Sequence, residues 1–231
     1  MSQKTTIAIE DGIVWITMDD GKVNALSTEM IGELGHALDA AEEAGAVTVL
    51  SGREGIFSAG FDLRTFDRGV DEGLVMVRAG AERILRLLAF PLPVLAVCTG
   101  HAYPMGAFLM LAADVRFAVA GNWRIGMNEV LIGMTVPRFA LERARHRLTP
   151  PGFASITTGT MFGPEEAMRH GYVDRVLTQD SLGDAVRKEA DRLRALDISS
   201  FIATKARIHD EARAAIRNAL ESEIRAHAEA S

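Results

Sequence analysis

A single carboxylate, Glu129, lies in the almost wholly apolar stretch Asn128–Met134. Apolar surroundings disfavour the anion, so we expect the pKa of Glu129 to rise toward the range in which a carboxylate accepts and returns a proton. Two glycine-bearing turns, Phe57–Leu63 and Thr99–Gly106, precede it in the sequence. Backbone N–H groups at turns that open into helices can stabilise a developing oxyanion. One base and two candidate donors therefore indicate chemistry through an enolate.

The two turns allow a functional and a simpler interpretation. Gly60 permits a tight first turn, which would leave the Phe61 N–H unpaired and pointing into a cleft. The simpler interpretation is a strand-to-helix turn in which Asp62 caps the following helix. A second turn of the same kind favours the functional interpretation, because Thr99–Gly106 also follows an apolar strand and leads into a helix of small and apolar residues. The positive end of that helix would favour an enolate or thioester oxygen.

Composition narrows the class of protein. With 231 residues, of which 48% are hydrophobic, the chain is long enough to form an ordinary globular domain with a full core. The single cysteine, Cys98, lies in an apolar run, which excludes a disulfide framework and indicates a buried thiol rather than a nucleophile. The net charge of −6 argues against a nucleic-acid partner, and no apolar run approaches the ~20 residues that span a bilayer. We therefore expect a soluble, cytoplasmic protein with no membrane partner.

The remaining polar residues form no second catalytic pattern. Their order gives neither a Ser/His/Asp triad nor a Cys/His pair, and the scattered histidines lack metal-ligand spacing, so we expect no metal. His101, in the second turn, is interpreted as a packing or hydrogen-bonding residue, with an acid–base role as the alternative. The cluster of Arg143, Arg145 and Arg147 indicates a solvated helix face or a subunit contact, with an anion site as the alternative.

Hydrophobic periodicity predicts short strands alternating with longer helices. The main predicted elements are a hairpin of Thr5–Glu10 and Ile13–Met18 around Asp11-Gly12, a helix capped by Ser27 and running to Ala44, a helix over Leu74–Leu88, a strand over Val94–Cys98, a helix over Gly106–Ala113, and a strand over Tyr172–Leu177. This alternation predicts α/β architecture with partly parallel pairing. We expect a core over residues 1–180 and C-terminal helices over residues 181–231, broken near Asp197, that cover the core or a neighbouring subunit.

Five segments together resemble the crotonase, or enoyl-CoA hydratase/isomerase, superfamily. They are Lys22–Leu26, Phe57–Leu63, Thr99–Asp114, Asn128–Pro137 and Phe162–Val176, and the likeness runs nearly from end to end. The resemblance implies a crotonase-like spiral core of ββα units with a C-terminal helical region. It also implies a homotrimer or dimer of trimers and an acyl-CoA substrate, in which coenzyme A is part of the substrate and no separate cofactor is needed.

The resemblance also assigns site residues by position. It places the two oxyanion donors on the backbone N–H groups of Phe61 and Met105, beside Glu129. Family members often have glycine where Met105 stands, but any residue except proline keeps the N–H. The residues that the resemblance places against the CoA ester are Lys22, Val23, Ala25, Ala59, Asp62, Leu63, Arg64 and Gly106.

Phe108 departs from the family's hydratases. These carry a glutamate at this position and another at the position of Glu129, and they need both to orient and activate water. This chain keeps only Glu129, which is the pattern of family isomerases that work with one glutamate. We therefore expect an isomerase that converts a 3-enoyl-CoA to a 2-enoyl-CoA, with Glu129 as base and acid. The alternatives are an enoyl-CoA hydratase, another crotonase-type reaction such as thioester hydrolysis, and a non-catalytic acyl-CoA-binding protein.

Overall fold

A computed structural model describes residues 3–230 of the chain. The strands are β1 (Thr5–Glu10), β2 (Ile13–Met18), β3 (Ala25–Leu26), β4 (Val47–Gly52), β5 (Gly55–Ser58), β6 (Gly60–Phe61), β7 (Val94–Cys98), β8 (Gly100–Ala102), β9 (Val115–Val119), β10 (Ile125–Gly126), β11 (Met161–Phe162) and β12 (Arg175–Leu177). The helices are α1 (Thr28–Ala44), α2 (Leu63–Arg68), α3 (Val70–Ala89), α4 (Pro104–Ala112), α5 (Arg138–Arg145), α6 (Pro150–Ala154), α7 (Pro164–Arg169), α8 (Gln179–Arg194) and α9 (Ile198–Ala230). Short 3-10 turns cover Glu129–Ile132 and Ser155–Thr158.

Two larger sheets are built from alternate strands of the chain. The first has the order β1-β2-β4-β7-β9-β12, and all of its pairs except β1–β2 are parallel. The second has the order β11-β10-β8-β5, and a two-stranded sheet joins β3 to β6. The strands β4, β7 and β9 of the first sheet are each followed directly by a strand of the second sheet. A helix or 3-10 turn comes next, after the short strand β6 in the first case. This repeated ββα progression confirms the predicted α/β fold with a spiral core and a C-terminal helical region.

Several ends of helices and strands lie where the local sequence predicted them. Asp11 and Gly12 have φ of 51° and 74° and join β1 to β2, as expected for a two-residue hairpin turn. The Ser27 side chain accepts a hydrogen bond from the Met30 N–H at the start of α1. The chain between α8 and α9 breaks at residues 195–197, where a break was predicted.

Three predicted elements differ in extent. The third helix, α3, begins at Val70, earlier than the predicted Leu74. The strand predicted over Tyr172–Leu177 is reduced to β12, because the Tyr172 N–H donates instead to Ala167 O at the end of α7. The helix α4 begins at Pro104 rather than at Gly106, since proline is well tolerated at the first helical position. Met105 is therefore the second residue of that helix.

The predicted arginine cluster is divided between core and surface. Arg143 is wholly buried, so the solvated face predicted for it is wrong. Its Nε donates to Leu111 O at 2.9 Å, and its Nη2 donates to the same oxygen. Carbonyls in the last turn of a helix lack intrahelical donors, so this arginine satisfies the C-terminal end of α4. Arg145 stays exposed beside Glu142.

The last helix, α9, packs along α3 and α5 of the same chain. Its buried residues include Ile216 and Leu220, which join the main core. None of the helices that the structure describes is both long and apolar enough to cross a membrane.

Candidate active site

An apolar cavity of about 460 Å³ lies among α2, α3, the start of α4, the Glu129–Ile132 turn and α9. This volume is typical of small-molecule sites. Four of the predicted site residues line the cavity: Ala59, Phe61, Leu63 and Glu129. Leu220 and Ile224 also line the cavity, so the C-terminal helix of the chain itself contributes to its wall.

Glu129 is the buried carboxylate of this cavity. It begins the 3-10 turn that follows β10, and Met134 N–H donates to its carbonyl at 2.9 Å, which fixes the backbone. The residue is 6% exposed, and its Oε2 has no hydrogen-bond partner among the described residues. Burial raises the pKa of Glu129 from its ordinary value of 4.5 to about 7, as the apolar surroundings predicted. The group can therefore both accept and release a proton near neutral pH.

The Phe61 N–H is directed away from the short strand β3. On either side of it, Gly60 N–H donates to Ser58 Oγ at 3.1 Å and Asp62 N–H donates to Leu26 O at 3.4 Å. Successive N–H groups of an extended strand point in opposite directions, so the Phe61 N–H faces the side opposite to that of the Asp62 N–H.

The Met105 N–H lies in the first turn of α4. Such N–H groups have no partner within their helix, and Pro104 before it has none to donate. The cap residue Tyr103 offers no side-chain hydrogen bond to this end of the helix. A methyl group built on Gly60 would lie 3.4 Å from Met105 N, so the segments that carry the two predicted donors are adjacent.

The predicted CoA residues divide between the cavity and a polar cleft. Lys22, Ala25, Asp62 and Arg64 line a cleft of about 640 Å³. Because Phe61 and Leu63 line the apolar cavity while Asp62 lines the cleft, the two spaces lie on either side of this short segment.

Asp62 is held by its own helix. It caps α2 by accepting from the Arg64 N–H at 3.2 Å, and the Arg64 guanidinium donates to both of its oxygens at 2.9 Å. The hydrogen bonds from Arg64 lower the pKa of Asp62. The capping interpretation of this residue is therefore confirmed.

Val23 and Gly106 line neither space among the described residues. Val23 is half exposed, and its carbonyl accepts from the Ala59 N–H at 2.9 Å. Gly106 allows α4 to pack closely on β5, because a methyl group there would come within 2.7 Å of Ser58 Cβ. This close approach seats the start of α4 against β5.

The other residues singled out in the sequence have structural partners. Phe108 is buried in the core, with its ring 6.3 Å from that of Phe139, and it does not line the described cavity. His101 Nδ1 accepts from the Arg124 N–H at 3.0 Å, which confirms its hydrogen-bonding role. The Cys98 thiol is buried, and burial raises its pKa to about 12, so it is no nucleophile. Among the side chains that the structure describes, those of residues 3–226, no group of three or more from His, Cys, Asp or Glu is arranged to hold a metal ion.

Two residues of interest were missed from the sequence. Glu223, in α9, lines the cavity, and its Oε1 accepts from the Arg138 N–H at 2.8 Å. Tyr172 is wholly buried, and the charge of Glu129 adds to burial in raising the pKa of its hydroxyl. In the sequence, Glu223 resembles one more charged residue on a solvated helix face, and Tyr172 resembles an apolar strand residue. Neither position therefore showed a pattern that indicates a functional site.

Comparisons with known proteins agree with this architecture. The family model described as enoyl-CoA hydratase/isomerase matches residues 8–231. A carnitinyl-CoA dehydratase of Salmonella enteritidis is 30% identical over 199 residues, covering 84% of this chain and 75% of the relative.

Solved structures show the same likeness. An enoyl-CoA hydratase/isomerase family protein of Pseudomonas syringae has a TM-score of 0.94 at 34% identity, covering 95% of this chain and 96% of its own. A Mycobacterium tuberculosis protein is called an enoyl-CoA isomerase in one solved structure and a probable enoyl-CoA hydratase in another. The first of these structures has a TM-score of 0.91 at 36% identity, covering 96% of this chain and 97% of its own. The chain belongs to the enoyl-CoA hydratase/isomerase family, within the crotonase superfamily.

Proposed function

We propose that the protein shifts the double bond of a 3-enoyl-CoA to give the conjugated 2-enoyl-CoA. The observation that carries this proposal is Glu129, a buried carboxylate with a raised pKa on the wall of an apolar cavity that Phe61 also lines, while Met105, which does not line the cavity, lies on the segment adjacent to Gly60. The thioester would lie at the segment between the cavity and the polar cleft. The acyl chain would occupy the cavity, and the nucleotide part would extend along Lys22 and Arg64.

In the proposed reaction, the Glu129 carboxylate removes a proton from the carbon between the thioester and the double bond. The electron pair of that C–H bond delocalises onto the thioester oxygen, giving a dienolate that the Phe61 and Met105 N–H groups stabilise. Protonated Glu129 then returns the proton to the distal carbon of the former double bond, and the new double bond forms next to the thioester. A pKa of about 7 suits both transfers, since neither protonation state of Glu129 is strongly disfavoured.

The position of Phe108 supports isomerisation over hydration. Family hydratases are expected to carry their second glutamate here, and this phenylalanine packs in the core against Phe139.

The test is to incubate the protein with a 3-enoyl-CoA in deuterated water and to identify the product by mass spectrometry. We expect a 2-enoyl-CoA without added water. Glu129→Gln should lower kcat by about a hundred- to ten-thousandfold. The exposed Glu165, in the first turn of α7, provides the matched control, and Glu165→Gln should leave kcat unchanged. Full turnover by Glu129→Gln would refute the assignment.

Hydration or dehydration is the second candidate function. It is favoured by the relatives named carnitinyl-CoA dehydratase and by Glu223, a second carboxylate on the cavity wall. In this case the product would carry a hydroxyl group from water. Glu223→Gln would then abolish water addition and leave any isomerisation in place. Tight binding of CoA esters in calorimetry without turnover of any of them would instead identify a non-catalytic acyl-CoA-binding protein.

A further inference from the structure

Two buried glycines, Gly73 and Gly80, lie inside the 20-residue helix α3. Glycine is less favourable than alanine within a helix, because it loses more backbone freedom on folding. The two positions are seven residues apart, which is about two turns, so they lie on the same face of α3. Val77 lies between them on this face and lines the apolar cavity. The face of α3 that borders the cavity therefore has no side chain at these two positions.

Each glycine contacts an aromatic ring that lines the cavity. A methyl group built on Gly73 would lie 2.6 Å from Cδ1 of Phe66 and 3.0 Å from its Cε1. A methyl group built on Gly80 would lie 2.6 Å from Cζ of Phe61 and 2.7 Å from its Cε1. Carbon atoms in contact prefer a separation of about 3.5–4.0 Å. The rings can therefore lie where they do only because both positions are glycine.

The two rings form one wall of the cavity. The centroids of the Phe61 and Phe66 rings are 6.5 Å apart and the ring planes are at 83°, an edge-to-face arrangement. Both residues line the cavity and are only half-buried. A ring that is pushed away from α3 can therefore move into the cavity and occupy part of its volume.

The volume of the cavity indicates the size of the group that it holds. Roughly 30 Å³ per carbon, the share of one water molecule in the liquid, serves as a measure. The cavity of about 460 Å³ then holds on the order of ten carbons, with room left at the reacting end. Its walls include Leu74, Leu220 and Ile224, which suit a hydrocarbon chain.

We propose that Gly73 and Gly80 are positioning residues that hold the Phe66 and Phe61 rings against α3, so that the cavity accepts an acyl chain of about eight to twelve carbons. A larger side chain at either position would push a ring into the cavity and leave room for short chains only. This inference rests on the proposed function in one respect, which is that the cavity holds the acyl chain of a CoA ester. It does not depend on the isomerisation itself.

Binding of saturated acyl-CoA esters tests the proposal without turnover. Calorimetric titrations with butyryl-CoA and decanoyl-CoA give the ratio of the two affinities. We expect wild type to bind decanoyl-CoA at least about a hundredfold more tightly, since each buried methylene adds up to about fourfold. In Gly73→Ala this ratio should fall by about tenfold or more. An unchanged ratio in Gly73→Ala, or equal affinity of wild type for both esters, would overturn the proposal.

Gly73→Ala is a cleaner variant than Gly80→Ala, because a methyl group on Gly80 would also lie 3.1 Å from Cε of Met105. The control is Gly32, a residue of α1 with no described atom within 4 Å of an added methyl group. Gly32→Ala should keep the wild-type ratio. Should Gly73→Ala not fold, Gly80→Ala decides by the same measurement.

A double variant shows whether the ring transmits the effect. Phe66→Leu removes the ring that the new methyl group would push. Compared with Phe66→Leu alone, Gly73→Ala/Phe66→Leu should therefore lose little of the affinity ratio. A tenfold loss that persists without the ring would show that Gly73 acts through general packing, and the proposal would be wrong.

The two proposals fail separately. If the preference for decanoyl-CoA is lost in Gly73→Ala but wild type does not convert a 3-enoyl-CoA, the isomerase function is refuted and the positioning role stands. If wild type converts a 3-enoyl-CoA but Gly73→Ala keeps the wild-type ratio of affinities, the positioning role is refuted and the isomerase function stands.

Discussion

Gly60 and Met105 meet backbone to backbone: a methyl group on Gly60 would lie 3.4 Å from the Met105 nitrogen and 3.5 Å from that of Pro104. Gly60 also has φ of +87°, in the region that favours glycine. The contact joins the first turn to the start of α4, and with it the two proposed oxyanion donors. An added methyl group would make an ordinary van der Waals contact here, so the strain of alanine at this position comes from the positive φ.

Gly60→Ala should therefore damage activity more than stability. We expect the positive φ to destabilise the fold by about 1–2 kcal/mol. Because relief of this strain would turn the peptide that carries the Phe61 N–H, we also expect kcat to fall by about a hundred- to a thousandfold. Gly45 is the matched control, because it has φ of +62° at the end of α1 and nothing within 4 Å of an added methyl group. Gly45→Ala should show a comparable loss in urea unfolding with normal kcat. Equal kcat in both variants would argue against the donor pair.

The rate should depend on the ionisation of Glu129. Burial raises its pKa to about 7, and only the anion removes a proton. We expect kcat/KM to fall about tenfold for each pH unit below this value and to level off above it. The pH profile of kcat/KM measures this directly. If kcat/KM instead fell with a midpoint near 4.5, the ordinary pKa of a glutamate, Glu129 would not be the base.

The raised pKa of Glu129 also predicts that the difference in stability between wild type and Glu129→Gln depends on pH. Because the pKa in the folded state, about 7, lies above the ordinary value of 4.5, the folded protein holds this proton more tightly than the unfolded chain. The resulting stability is fully present below pH 4.5 and is lost as the pH rises to about 7. Relative to wild type, Glu129→Gln should gain roughly 2–3 kcal/mol between about pH 4.5 and about pH 8. Urea unfolding of both proteins at these two pH values provides the measurement, and a constant difference would count against the raised pKa.

Phe108→Glu should fail to create a hydratase. The Phe108 side chain is 1% exposed and packs against Phe139. A carboxylate at this position would therefore be buried among apolar side chains. We expect a loss of about 3–5 kcal/mol in the free energy of unfolding. Phe108→Leu should cost only about 1 kcal/mol, because it keeps an apolar side chain. A stable Phe108→Glu protein that adds water to a 2-enoyl-CoA would show that this side chain can reach the cavity.

Elements decided by neighbouring residues were predicted well from the sequence. The Asp11-Gly12 turn and the Ser27 cap depend on contacts within a few positions, and both are present. The raised pKa of Glu129 was also predictable, since its apolar neighbours in sequence indicated burial. The enoyl-CoA hydratase/isomerase family followed from several such segments taken together.

Contacts between distant segments were not predictable in this way. Arg143 resembles a surface residue until its acceptor, Leu111 O, is known, and that acceptor lies on another helix. Glu223 enters the cavity wall only because α9 folds back over α3 and α5. The polar parts of the site thus depend on tertiary packing, whereas the strand–helix pattern does not.

The buried Arg143 holds the end of α4 opposite to Met105. A helix of this length spans about 13 Å, so the proposed donor is anchored from a point well outside the cavity. The accuracy of the oxyanion geometry then depends on the rigidity of one short helix fixed at both ends, by Gly60 at one and by a guanidinium at the other. Selection for activity would accordingly act on core positions that never contact the substrate.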